Sequence, residues 1–170
     1  MQLGIADAAT TGQSHLEYEV KAAFLYNFAK FVEWPRTAFV TDDAPLVFCI
    51  VGRDPFDGSL EHIVDGRTAN GRRIDIRDNV NFGDANMCHL AFVPQAEDER
   101  MARIVHAFHS DSGGTVLTIG ETDRFAQAGG MIRLIIDEGR VRFDVNIVSA
   151  ERAGLKVSSQ LLKLARKVER

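Results

Sequence analysis

Leu46-Val47-Phe48-Cys49-Ile50-Val51, stopped by Gly52, is a run of apolar residues with no polar face. A half-exposed strand alternates in polarity, whereas a run this short and uniform suits a strand covered on both sides. Two layers must therefore be found to cover it. Downstream, the chain offers them in alternation: a helix over 56–64, a half-exposed strand over 72–77 in which Ile74 and Ile76 alternate with charge, and a second apolar strand over 87–93 stopped by Pro94. An amphipathic helix over 97–108 carries Met101, Ile104, Val105 and Phe108 on one face, and a third buried strand follows over 115–119. Strands and helices alternating at these lengths imply right-handed crossovers and a mostly parallel sheet with helices on both faces.

The pattern changes after Gly130. Residues 131–137 and 140–146 are joined by Glu138-Gly139, a two-residue hairpin signal, and Val141, Phe143 and Val145 alternate with Arg142, Asp144 and Asn146. The hairpin is expected to form an antiparallel edge with one wet face. Ser158 or Ser159 then caps a last helix that buries Leu161, Leu162, Leu164, Ala165 and Val168, while Lys163, Arg166, Lys167 and Arg170 suit its negative C-terminal end.

Upstream, Val-Lys-Ala-Ala-Phe-Leu-Tyr-Asn-Phe-Ala-Lys-Phe-Val-Glu-Trp-Pro, residues 20–35, is a helix with almost no solvent face. Glu19, Asn27, Lys30 and Glu33 share one narrow stripe, and Phe24, Leu25, Phe28, Phe31 and Val32 cover most of the rest. Ser14 and Glu17 have the spacing of a capping box at its start, and Pro35 forces Trp34 out of the helical region at its end. Lys21 interrupts the apolar face. Either its methylenes pack while the ammonium reaches past the helix end, or a buried ion pair or an anionic ligand holds it. The expected architecture is α/β: one domain over 15–170, a three-layer sandwich whose mostly parallel sheet is flanked by helices and ends in a C-terminal antiparallel hairpin.

The chain has 170 residues, 45% of them hydrophobic. A domain of this size buries roughly 70% of its unfolded surface and needs no metal or disulfide to make a core. A formal net charge of -4, from 20 basic and 24 acidic residues interspersed along the chain, offers a polyanion no field, which disfavours nucleic acid. Even the helix over 20–34 carries Lys21, Asn27, Lys30 and Glu33, so direct membrane insertion is not expected. The first dozen residues lack the basic start and apolar core of a secretory leader. Residues 1–14 are expected to form a flexible N-terminus, with the small residues over 8–11 suiting a mature end.

The aromatic helix ending in Trp34-Pro35 resembles the opening of the YfiR family, periplasmic proteins known as repressors of a membrane-anchored diguanylate cyclase. A second resemblance runs from Val145-Asn146-Ile147 through Ala153-Gly154-Leu155-Lys156-Val157-Ser158-Ser159 to Leu161-Leu162-Lys163-Leu164-Ala165. The resemblance implies a signal peptide removed on export, periplasmic localisation, and dimers. The apolar helix and the edge hairpin both point toward a homodimer as well. Cys49 and Cys88 are the only cysteines; read from the residues alone they are ordinary buried thiols, whereas the resemblance implies a disulfide between them. A second pair found in some members has no counterpart over 125–134.

No contiguous catalytic motif is present, and no cofactor or enzymatic activity is expected. His106 and His109 are three apart at a helix end, but two ligands without a third make a weak metal site, and a solvated terminus is preferred. Gly113-Gly114 leads into a strand and reads as a turn. The resemblance places repression near the late hairpin. Ile132, Arg133, Arg142, Asp144, Asn146 and Arg152 therefore form the candidate partner surface, with Ile132 as apolar anchor. The implied function is to dock on the periplasmic portion of an inner-membrane diguanylate cyclase and lower cyclic-di-GMP signalling and biofilm formation. The alternative is a periplasmic small-molecule sensor. Its pocket would lie at the carboxyl ends of the parallel strands and draw on Lys21, Arg53, Asp54, Gln95, Glu121 and Thr122, if those groups converge.

Overall fold

A computed structural model describes residues 3–110 and 115–170. The elements are α1 (Leu3–Phe31), β1 (Val32–Glu33), β2 (Leu46–Val51), α2 (Ser59–Val64), β3 (Thr68–Ala69), β4 (Arg72–Val80), β5 (Leu90–Val93) and α3 (Met101–Ser110). They continue with β6 (Leu117–Gly120), α4 (Asp123–Gln127), β7 (Ile132–Asp137), β8 (Arg140–Asn146), α5 (Ile147–Arg152), β9 (Lys156–Val157), α6 (Ser159–Leu164) and β10 (Lys167–Glu169). The main sheet runs β10-β8-β7-β6-β5-β2-β4-β3, and β4, β2, β5, β6 and β7 are mutually parallel neighbours. In chain order these five strands are arranged 2-1-3-4-5, the order of a doubly wound sheet whose direction of growth reverses between β2 and β5.

All six residues of β2 are buried, and their alternation sorts them between two cores. Leu46, Phe48 and Ile50 meet Leu25 and Phe28 of α1 and Leu60 of α2, whereas Val47, Cys49 and Val51 meet Met101, Ile104 and Phe108 of α3. The fold is therefore a three-layer α/β sandwich. Cys49 and Cys88 are joined by a disulfide with Cα atoms 5.8 Å apart. It closes a loop of 39 residues, which on chain entropy contributes roughly 4 kcal/mol. Cys88 lies just ahead of β5, since the segment before it is a 3-10 turn over Phe82–Met87 capped by Asn81 rather than strand.

Several elements depart from the sequence reading. Helix α1 continues back through Ser14 to Leu3, so Ser14 and Glu17 do not start it; Glu17 instead turns its carboxylate to Lys21 one turn on. At the other end α1 stops at Phe31, because Val32 and Glu33 pair with Val157 and Lys156. The last helix is only six residues long, and its Leu164 is exposed. The chain then becomes β10, pairing parallel to β8 through Lys167–Asp144, Val168–Val145 and Glu169–Asn146. That pairing covers the edge that the hairpin was expected to leave open. A second hairpin, β3–β4, turns at Asn70-Gly71, both with positive φ; the Asn70 amide donates to Ala29 O and Val32 O and so caps the end of α1. Gly113-Gly114 lies outside the described residues.

Candidate functional site

The late hairpin forms as its residues dictate, with Glu138 and Gly139 at φ 50° and 75° in the turn and Arg133 facing Asp144 across the strands. Strand alternation then fixes the faces. Ile132 and Leu134 point into the core with Phe143 and Val145, so Ile132 is no surface anchor. Residues one position apart cannot share a face, and Arg133 is the outward one. Its guanidinium joins Asp144 at 2.9 Å and also meets Asp123. Asp144 in turn receives a two-point grip from Arg166, at 2.9 Å from Nε and 2.6 Å from Nη2. Burial opposes ionisation of Asp144, yet the hydrogen bonds from Arg166 and Arg133 outweigh it and hold the carboxyl below its usual range. Arg142 pairs with Asp137 at 3.2 Å, Asn146 caps α5 by accepting from Ser149 N, and Arg152 is exposed at the end of α5. Of the six partner-surface candidates, then, one is core, two belong to an internal ion network, one is a cap, and Arg142 and Arg152 stay open to solvent.

The strand ends hold a different arrangement. Lys21 and Glu121 form an ion pair at 2.6 Å with side chains 4% and 3% exposed. Glu17 adds a second carboxylate at 2.7 Å, Tyr18 donates its hydroxyl to Glu121 at 3.2 Å, and the backbone N–H of Gln95 donates to the same carboxylate at 2.8 Å. Burial first, and the Glu121 charge second, push the Tyr18 phenol well above its ordinary value, so it remains a donor. This is the buried ion pair, and not the solvent-reaching ammonium, of the two readings of Lys21. The remaining sensor candidates do not converge on it. Thr122 caps α4, Asp54 closes its own turn on Phe56 N, and Arg53 is exposed. At the point where sheet growth reverses, Phe56 meets Tyr18 edge-to-face and Phe92 at a tilt, and the Glu97 side chain lies against Gly52. Of the polar groups proposed for a ligand, only Lys21, Glu121 and the Gln95 backbone N–H engage one another, and they close the strand ends from within.

His109 was expected in solvent. It is half-buried and bonds Thr118 Oγ1 at 2.9 Å, while that hydroxyl also accepts from Met131 N. The surface feature that the sequence reading missed is apolar. Leu16, Val20 and Ile136, 61%, 44% and 50% exposed, line one groove between α1 and the hairpin, flanked by Glu17 and Arg140. Ile136 shares the inward face of β7 with Leu134 by strand alternation, yet it is half exposed. It is left uncovered because Leu16 and Val20 border a gap rather than fill it.

The sequence profile of the YfiR/HmsC-like family matches residues 18–166, from the first aromatic turn of α1 to the arginine that grips Asp144. The chain belongs to the YfiR/HmsC-like family. The Cys49–Cys88 bridge fits an oxidising compartment. No helix among the described residues is long and apolar enough to cross a membrane. The YfiR/HmsC-like fold is similar to a crystal structure of a conserved domain protein from Vibrio cholerae O1 biovar eltor, at 11% identity and a TM-score of 0.56 over 89% of this chain. It is also similar to the ABC domain from Streptococcus pneumonia solved in complex with L-Trp, at 11% identity and a TM-score of 0.50 over 73% of this chain. The matched region spans 60% and 55% of those two longer chains. At that identity the likeness is one of fold.

Proposed function

We propose that this protein represses an inner-membrane diguanylate cyclase by docking on its periplasmic portion, so that its release raises cyclic-di-GMP and favours biofilm formation. Membership of the YfiR/HmsC-like family carries the reading. A repressor of this kind needs no chemistry. It must bind the inactive receptor more tightly than the active one, by about 5 kcal/mol for a near-complete switch. The hairpin remains the proposed contact, centred on its exposed Arg142 and on Ile136 at the groove. Arg133, Asp144 and Arg166 would set the hairpin's shape rather than touch the partner. The small-molecule alternative loses its main support, because Lys21, Glu121 and Gln95 N close on one another. The arguments for a homodimer weaken too. Most of the apolar face of α1 is buried within the fold, and β10 occupies the hairpin edge.

Arg142→Glu and Ile136→Glu change exposed side chains and should leave the thermal midpoint within a few degrees of the parent. In cells, each should raise cyclic-di-GMP. If both variants fold and the nucleotide stays at the parental level, the hairpin does not meet the cyclase.

A further inference from the structure

Strand β4 is nine residues long, but β3 covers only its start, pairing Thr68 with Arg73 and Ala69 with Arg72. On its other side β4 pairs with β2 as far as Val80. Among the described residues, then, no strand neighbours the outer edge of residues 74–78, and its outward backbone groups are in no ladder. This stretch contains no proline and no positive φ; the first positive φ comes at Asn79. At about 3.3 Å per residue it offers some 16 Å of template. A groove follows the same edge, floored by Ile74, Ile76 and the α2 residue Val64, and bounded at one end by Asp65, Gly66 and Arg67. Ile74 and Ile76 are half-buried against the main core, and the opposite face of the strand presents Arg73, Asp75 and Arg77 with their signs alternating.

We infer that the free edge of β4 is a second docking surface, separate from the hairpin, which takes an extended segment of another protein as an added strand. Cross-strand neighbours project to the same face, so the edge itself specifies the guest. Opposite Ile76 and Ile74 it wants apolar residues that enter the groove. Opposite Arg77 it wants an acid, and opposite Asp75 a base. Arg73 is 3.9 Å from Asp75, a loose contact that leaves the outer face free to pair across the new strand. A second copy of this chain, laid antiparallel over the same five residues, pairs Asp75 with Arg77 twice and Ile76 with itself. It also sets Asp78 against Ile74 at both ends, so a segment apolar at both groove positions fits better. The guest is a segment in which two apolar residues alternate with one acid and one base.

The test uses the whole protein and two synthetic peptides, acetyl-Thr-Glu-Val-Lys-Val-Thr-amide and its counterpart with Glu and Lys exchanged. The first should bind and slow amide exchange at residues 74–78, and the exchanged peptide should bind about fivefold more weakly, as expected for replacing two favourable cross-strand charge pairs by two unfavourable ones. In the Asp75→Lys, Arg77→Glu double variant the preference should reverse. Equal binding of the two peptides, binding of neither, or protection away from residues 74–78 would overturn the inference. So would protection that rises with protein concentration alone, because a second copy would then occupy the edge.

Discussion

The residue that most changes the reading of this chain is Lys21. A lysine on an apolar helical face usually escapes along its own methylenes. Here its ammonium is locked between Glu121 and Glu17, with Tyr18 and Gln95 N completing the shell of Glu121. Such a pair contributes little beyond a well-packed apolar pair, but losing one partner strands the other charge. Lys21→Ala should therefore cost about 3 kcal/mol or more, because Glu121 would be left buried. The combination Lys21→Met with Glu121→Leu should recover a large part of that loss, as read by urea unfolding. An additive double variant would show that the pair is not coupled. The sequence grouped Lys21 with Glu121, a hundred residues away, among candidate ligand groups at the strand ends, but not as a direct pair, because nothing local marks Glu121 as the acid that meets the lysine.

At the scale of elements, apolar pattern located what packing could enforce. The buried runs of β2, β5 and β6, the hairpin turn at Glu138-Gly139 and the amphipathic α3 all form where residue pattern put them, with ends displaced by a few residues. Helix α1 is held by its aromatic face: Phe28 and Phe24 meet Phe143 with ring centres 5.0 and 5.8 Å apart, which joins the first helix to the late hairpin. Phe28→Ala should cost about 3 to 5 kcal/mol, measured by denaturant unfolding. A loss under about 1 kcal/mol would mean that the helix is not integral to the core. The short strands β1, β3, β9 and β10 escaped the sequence reading. Two or three residues have no measurable periodicity, and each exists only because a partner strand offers it a ladder. The same is true of the helix ends. Phe31 stops α1 two residues before Pro35 forbids continuation, because β9 captures Val32 and Glu33 first.

The whole molecule should weaken in mild acid, and two half-buried histidines give the sign. His89 accepts from Val47 N at 3.0 Å through Nδ1 and meets Ala38 O at 2.8 Å through Nε2, which fixes it as a neutral ring stacked on Phe39. Burial first, with the charge of Arg72 also opposing protonation, lowers its pKa below the ordinary 6.5, and burial lowers that of His109. Unfolding frees both rings to take protons that the fold refuses, so stability falls as pH drops below about 6.5 and is unaffected by them above about 7. Asp144 acts lower down: its depressed carboxyl stabilises the fold above the ordinary carboxylate range and loses that contribution as acid protonates it. Thermal melts from about pH 7.5 to about pH 5 should show a falling midpoint, and a flat profile would exclude the histidine contribution. Residue pattern alone was enough for an α/β sandwich, its central strand and the late hairpin, because burial on two faces, on one face or on a helical stripe each leaves a periodic trace in the chain, while the family was legible only as a resemblance of two particular stretches. Tertiary structure alone decided which charges are free. Arg133, Asp144, Lys21 and Glu121 look like available chemistry in sequence, yet long-range pairing joins Arg133 to Asp144 and Lys21 to Glu121, while Ile136 and the outer edge of β4 remain uncovered because no element among the described residues reaches them.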